Sequence, residues 1–160
     1  TNSTKKTTTK EKAKLPPNPF IHEILDLASK QRSKVKKVEI LQEYGNPALK
    51  SLLIWNFDDT VISVVPAGEV PYKANEVPVG TDHTSLRKEY KHLFNFVKGG
   101  NDSLTSLRRE TMFIQMLEGL HPEEASILCL VKDKALQTKY KLTYEVIKEA
   151  YPDINWGGRS

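Results

Sequence analysis

Helix-start punctuation recurs along this chain wherever apolar residues begin to repeat at spacings of three and four. That pairing constrains the fold more than any other feature. Asn46 and Pro47 open one such run, with asparagine as the N-cap and proline at the first helical position, and Leu49, Leu52, Leu53 and Trp55/Asn56 follow on one stripe. "HPEEASILCLVKDK" repeats the arrangement. His121 stands at the cap, Pro122 at the first position and Glu123 and Glu124 in the first turn, where the helix dipole favours negative charge, with Ala125, Leu128 and Val131/Lys132 as the apolar repeat. A histidine beside paired glutamates and the chain's single cysteine invites a catalytic reading. Helix-start rules account for every residue of it.

The same logic carries through the chain. Phe20, Ile21, Ile24, Leu25 and Leu27 form a stripe that Val35, Val38 and Leu41/Gln42 continue as far as Tyr44 and Gly45. The basic run over residues 30–37 either bridges a turn near Ser33 or lies on the exposed face of one long helix. Leu86, Tyr90, Leu93, Phe94 and Val97 predict a helix ended by Gly99 and Gly100. Asp102 or Ser103 then caps a helix with Leu104, Leu107, Phe113, Ile114, Met116, Leu117 and Leu120 on one broad face, the two packing as an antiparallel hairpin. A last helix starts near Thr143, carries Val146, Ile147 and Ala150, and stops before Pro152.

Two stretches resist this pattern. Residues 57–82 hold Pro66, Pro71 and Pro78 among short β-branched runs too broken for a central strand, which predicts a long irregular loop or a short hairpin. Residues 1–19 are rich in lysine and threonine and end in "LPPNPF", a stiff extended boundary. The reading is therefore a mainly α protein. A single helical domain of five to seven helices spans residues 20–154, with an extended central loop at 57–82, a disordered basic N-terminal arm and Pro-rich boundary at 1–19, and a C-terminal tail at 155–160.

Charge is placed unevenly. The 160 residues carry a net +4, yet residues 1–37 alone hold ten basic against three acidic side chains, a net +7, and leave −3 on the remainder. A positive arm on a mildly acidic body suits a polyanion, because each lysine that neutralises a phosphate releases counterions without specific geometry. A solvated, solubilising tail accounts for the same composition. The candidate nucleic-acid contacts are Lys5, Lys6, Lys10, Lys12, Lys14, Lys30, Arg32, Lys34, Lys36 and Lys37. No apolar run approaches the roughly 20 residues of a membrane span. One cysteine cannot close an internal disulfide, and the N-terminal stretch has no apolar signal core, so a reducing, cytoplasmic setting is expected.

Catalytic and metal motifs are not legible. His22, His83, His92 and His121 are scattered, and "HEILD" at 22–26 lacks the second histidine of a zincin helix. "VKGGNDS" has neither the lysine nor the preceding strand of a phosphate-cradling loop. Cys129, inside "SILCLV", is expected in the core. Asp58 and Asp59 permit a divalent-ion site with Glu69, Glu76 or Asp82, but a helix end followed by a polar turn explains them more simply. Arg108 and Arg109 are expected on a solvated face. Trp156 either docks in a partner's pocket or folds back over the helical hairpin.

"NPALKSLLIWNFD" at 46–58, "LRRETMFIQMLEGLHPEEASILCLVKDKAL" at 107–136 and "KYKLTYEVIKEAYPDI" at 139–154 resemble a family of small uncharacterised proteins from T4-like tailed bacteriophages, among them cyanophages and other marine phages. The resemblance supplies no active-site residues. It implies a phage origin; with no catalytic or cofactor motif legible in the residues, the expectation is a non-enzymatic accessory protein without a cofactor, working in the cytoplasm of an infected bacterium on a nucleic-acid or protein partner. The alternative it leaves open is a virion structural or assembly protein.

Overall fold

In the computed structural model, which describes Leu15 and residues 19–73 and 84–158, capping residues set the helix boundaries. Helix α1 (Ile21–Lys30) begins where the Glu23 carboxylate accepts the Phe20 N–H at 2.8 Å, and it buries Ile21, Ile24, Leu25 and Ala28. It ends at the extended residue Gln31. Ser33 then caps α2 (Lys34–Tyr44) by accepting the Lys36 N–H. The basic run thus bridges a turn, and the stripe does not continue across it: Val35 is 66% exposed, while Ile40 and Leu41 turn inward.

Asn46 caps α3 (Pro47–Phe57) through an Oδ1 bond to the Leu49 N–H at 2.9 Å, with Pro47 in the first turn. This helix buries Ala48, Leu49, Leu52, Leu53, Trp55 and Asn56 around most of its circumference, as a central helix must. Among the described residues, the segment that follows it contains no strand. One antiparallel bridge ties it to residues 96–98, with Val64 donating to Phe96 at 2.9 Å and Lys98 to Ile62 at 2.8 Å.

The helix expected over 86–97 divides. Helix α4 (Leu86–Glu89) passes directly into a 3-10 helix (Tyr90–Phe96). At three residues per turn the inward positions fall at Leu93 and Phe96, which are buried, and Phe94 is left 48% exposed. The tight turn after it has no room at Gly100, where a Cβ would lie 1.9 Å from the Phe94 carbonyl oxygen, and it takes Gly99 to a φ of 85°.

Neither Asp102 nor Ser103 caps the next helix. Asp102 accepts the Gly99 N–H and Ser103 donates to Asn101, so both are used inside the turn. Thr105 takes the role, accepting the Arg108 N–H, and α5 (Ser106–Gly119) starts later than its sequence suggests. Its buried positions are Arg109, Phe113 and Leu117, one face at spacings of four, and Leu107 is 75% exposed. Phe113 meets Phe96 edge to face at 5.0 Å.

Helix α6 (Pro122–Lys132) is capped by His121 as expected, with Nδ1 accepting the Glu123 N–H at 3.1 Å. Lys134 closes it in the left-handed region at φ 55°. A short 3-10 turn (Leu136–Thr138) leads to α7 (Tyr144–Ala150), which Thr143 caps and which stops before Pro152. Helix α1 packs on α2 and α6, α2 on α7, and α3 on α4, α6 and the long 3-10 helix, enclosing one apolar core. The fold is mainly helical, with seven α-helices among the described residues.

Candidate nucleic-acid interface

Of the ten predicted phosphate contacts, Lys5, Lys6, Lys10, Lys12 and Lys14 lie outside the described residues. The other five gather at the junction of α1 and α2. Lys30, Arg32, Lys34 and Lys36 are all exposed there. Lys30 meets Asp26 at 2.9 Å, Lys34 meets Glu149 at 3.2 Å and Lys36 meets Glu39 at 3.9 Å, with every side chain in these pairs at least 44% exposed. Exposed pairs contribute about 0–1 kcal/mol and are screened by salt, so a phosphate can displace these carboxylates at little cost.

Lys37 behaves differently. Its Nζ donates to the Ser29 carbonyl at 3.2 Å and the Lys141 carbonyl at 2.7 Å, and the Ser29 hydroxyl accepts the Lys141 N–H. Burial and the nearby Lys141 ammonium push its pKa below that of an ordinary lysine. Lys37 is a tie between the end of α1 and the segment before α7. Lys141 itself is exposed and extends the positive strip.

Trp156 is held by its own chain. Its ring packs edge to face on Tyr144 at 5.0 Å, Tyr144 stacks on Phe57 at 6.2 Å, and the Gly157 N–H donates to Asp58 Oδ2 at 2.8 Å. The tail therefore folds onto the junction of α3 and α7.

A family model described as a family of unknown function (DUF6433) matches residues 24–138, well over half of the chain. The chain belongs to that family. The match runs from α1 to the second 3-10 turn and leaves residues 1–23, α7 and Trp156 outside it. No curated protein and no solved structure matches the chain. Within DUF6433, the basic strip at the α1–α2 junction falls inside the matched region.

Of the other candidate residues, Glu76, Asp82 and His83 lie outside the described residues, and Asp58, Cys129 and Arg109 take structural roles. Asp58 is buried and accepts from the Thr60 N–H and hydroxyl as well as from Gly157, which makes it a helix-end cap, with Asp59 exposed beside it. Lys134 Nζ completes that cap by donating to the Trp55 and Asp58 carbonyls at 2.6 and 2.8 Å, a cation at the negative end of α3. No group of three or more His, Cys, Asp or Glu able to hold a metal forms among the described residues. None of the described helices is long and apolar enough to cross a membrane.

Cys129 is half-buried rather than in the core, in an open groove with Val70, Tyr72 and Asp133. Burial raises its thiol pKa, which disfavours the thiolate that nucleophilic chemistry needs. Arg109 is buried, contrary to the expectation of a solvated face. Its guanidinium donates to the carbonyls of Asn95, Asn101 and Leu104 at 2.9 to 3.3 Å and so fixes the turn before α5. Its spacing of four from Phe113 was the available signal.

Glu124 also departs from expectation. It is fully buried, with one carboxylate oxygen accepting the Ile21 N–H and the other the Leu86 N–H, both at 2.9 Å. The starts of α1 and α4 thus meet at a carboxylate in the first turn of α6. Desolvation, the largest influence, raises its pKa, and the two N–H donors oppose that shift. Beside it His22 and His121, remote in sequence, stack at 4.9 Å.

Proposed function

We propose that this DUF6433 protein is a non-enzymatic phage accessory protein that grips nucleic acid through its basic N-terminal segment and the cationic strip of Lys30, Arg32, Lys34 and Lys36. One observation carries the reading: four exposed cations sit together at a helix junction, continuous in chain with five further lysines, and are offset only by exposed, weakly held carboxylates. A strip of this kind recognises backbone charge rather than base edges. It therefore predicts a steep dependence on salt and little sequence preference.

The test must respect the core. Residues 21–28 bury four side chains, so a truncation through α1 would unfold the domain. Removing residues 1–14, and separately replacing Lys30, Arg32, Lys34 and Lys36 with serine, leaves the apolar positions untouched. Anisotropy titrations with labelled single- and double-stranded DNA at several salt concentrations should show affinity falling in each variant, with a shallower salt slope. No binding by the full chain at about 50 mM salt, where phosphate contacts are strongest, refutes the reading. The remaining alternative would then be a protein partner or a place in the virion.

A further inference from the structure

We propose that the stacked pair of His22 and His121 is an acid-sensitive latch, in which protonation of either imidazole loosens the start of α1 from the start of α6. The two rings lie 4.9 Å apart and within 22° of parallel, and Phe20 packs against both at 5.6 and 5.0 Å. A further proton on either ring meets a geometric cost.

An imidazolium carries two N–H donors. His22 Nδ1 is fully buried and makes no hydrogen bond among the described residues, so protonating it would bury a donor without an acceptor. On His121 the Nδ1 lone pair is the N-cap of α6, accepting the Glu123 N–H at 3.1 Å. A proton on that atom removes the cap and opposes one N–H with another. Charging both rings at once would add repulsion across the stack.

Among the described residues, the charges around the pair are already engaged. Glu23, on α1, accepts the Phe20 N–H, and Glu123, on α6, pairs with Lys139 at 3.4 Å. Glu124 is committed to Ile21 and Leu86, and Arg87, on α4, donates to the Pro19 carbonyl. Tyr140 stays neutral throughout, its pKa pushed up to about 12 by burial. For His22, burial is the largest influence and lowers the pKa; His121 and Lys139 lower it further, while Glu23 and Glu123 raise it without restoring the ordinary value.

The sign of the pH effect follows. With a folded pKa below 6.5, the unfolded chain takes up the proton first as pH falls through 6.5, so stability is full above that value and declines below it. One differential proton changes the folding constant by up to about tenfold per pH unit. The element that loosens is the first helix after the Pro-rich boundary, and so the end of the domain from which the basic segment extends.

The full chain is tested by urea unfolding at pH 7.5 and 5.5, with His22 titrated by NMR and amide exchange followed at Ile24 and Leu25. His22→Phe keeps a ring in the stack but cannot take a proton, and His121→Asn keeps a cap acceptor. The wild type should lose several-fold more of its folding constant between the two pH values than His22→Phe, with His121→Asn between them because His22 stays buried there, and α1 should exchange faster at pH 5.5. Equal losses in all three proteins, or a His22 pKa at or above 6.5, overturn the latch. Should His22→Phe fail to fold, the wild-type titration decides alone.

Discussion

The buried carboxylate of Glu124 gives the sharpest test of how the helices are joined. Replacing it with alanine strips the acceptor from two buried N–H groups, those of Ile21 and Leu86, each bonded at 2.9 Å. An orphaned buried donor costs about 1–3 kcal/mol, and relief from desolvating the carboxylate offsets part of the sum, leaving a net loss of about 2–4 kcal/mol for Glu124→Ala. Glu124→Gln keeps one acceptor but faces the other donor with an NH2 group, so it should lose about half as much. The pH dependence separates the two contributions. Because the folded pKa is raised above 4.5, the native state holds the proton more tightly there, and the wild type gains stability relative to Glu124→Gln as pH falls towards 4.5. Urea unfolding followed by circular dichroism at pH 7 and pH 4.5 measures both effects. A Glu124→Ala protein within about 0.5 kcal/mol of wild type at pH 7, the range of ordinary surface substitutions, would refute the clamp.

Arg109→Met should destabilise by about 2–4 kcal/mol, since three carbonyls lose a charged donor, and Arg109→Lys should recover only part because a lysine cannot reproduce the planar fork. Chemical denaturation of the two variants checks the order. Lys132, whose side chain is fully buried and donates to the Pro66 and Gly68 carbonyls and to Asp133 at 2.7 Å, pins the segment after α3. Lys132→Met should make residues 63–73 the first site of limited proteolysis while leaving the helical signal largely intact. Gly100→Ala, whose Cβ would fall 1.9 Å from the Phe94 oxygen, should lower the melting temperature more than Gly99→Ala, which meets open space and suffers only from its φ of 85°. Calorimetry of the pair would show the reverse order if the turn simply relaxes.

Helix starts were legible because caps are local. Asn46, His121 and Thr143 each act on a backbone N–H two or three residues away, and sequence spacing contains that relation in full. The cap of α5 was misplaced because Asp102 and Ser103 have the right chemistry but are used within the turn, a fact set by Gly99 and Asn101 rather than by their own identity. The 3-10 segment was illegible for another reason: Tyr90, Leu93 and Phe96 fit a period of three, yet Phe94 and Val97 equally extend a helical one, and only packing against Phe113 and Val64 decides between them. Glu124 and Arg109 lay on apolar faces by spacing, Glu124 with Leu128 and Val131, Arg109 with Phe113 and Leu117. A charged residue in such a position marks a tertiary partner that spacing cannot name.

The basic strip shows the same division between local and tertiary information. Counting charge along the chain treats residues 1–37 as one positive arm. The fold divides them, because Ile21, Ile24, Leu25 and Ala28 are core and the cations that follow are arranged by a helix end, a turn and a helix start. Lys37 is drawn off to hold two carbonyls, and Lys141 joins from the segment before α7. Lys30, Arg32, Lys34 and Lys36 hold positions fixed by packing elsewhere. A loosened α1 would therefore disturb the geometry of the strip without changing its charge, so the proposed latch at the start of α1 and the proposed phosphate grip at its end would be coupled through one ten-residue helix.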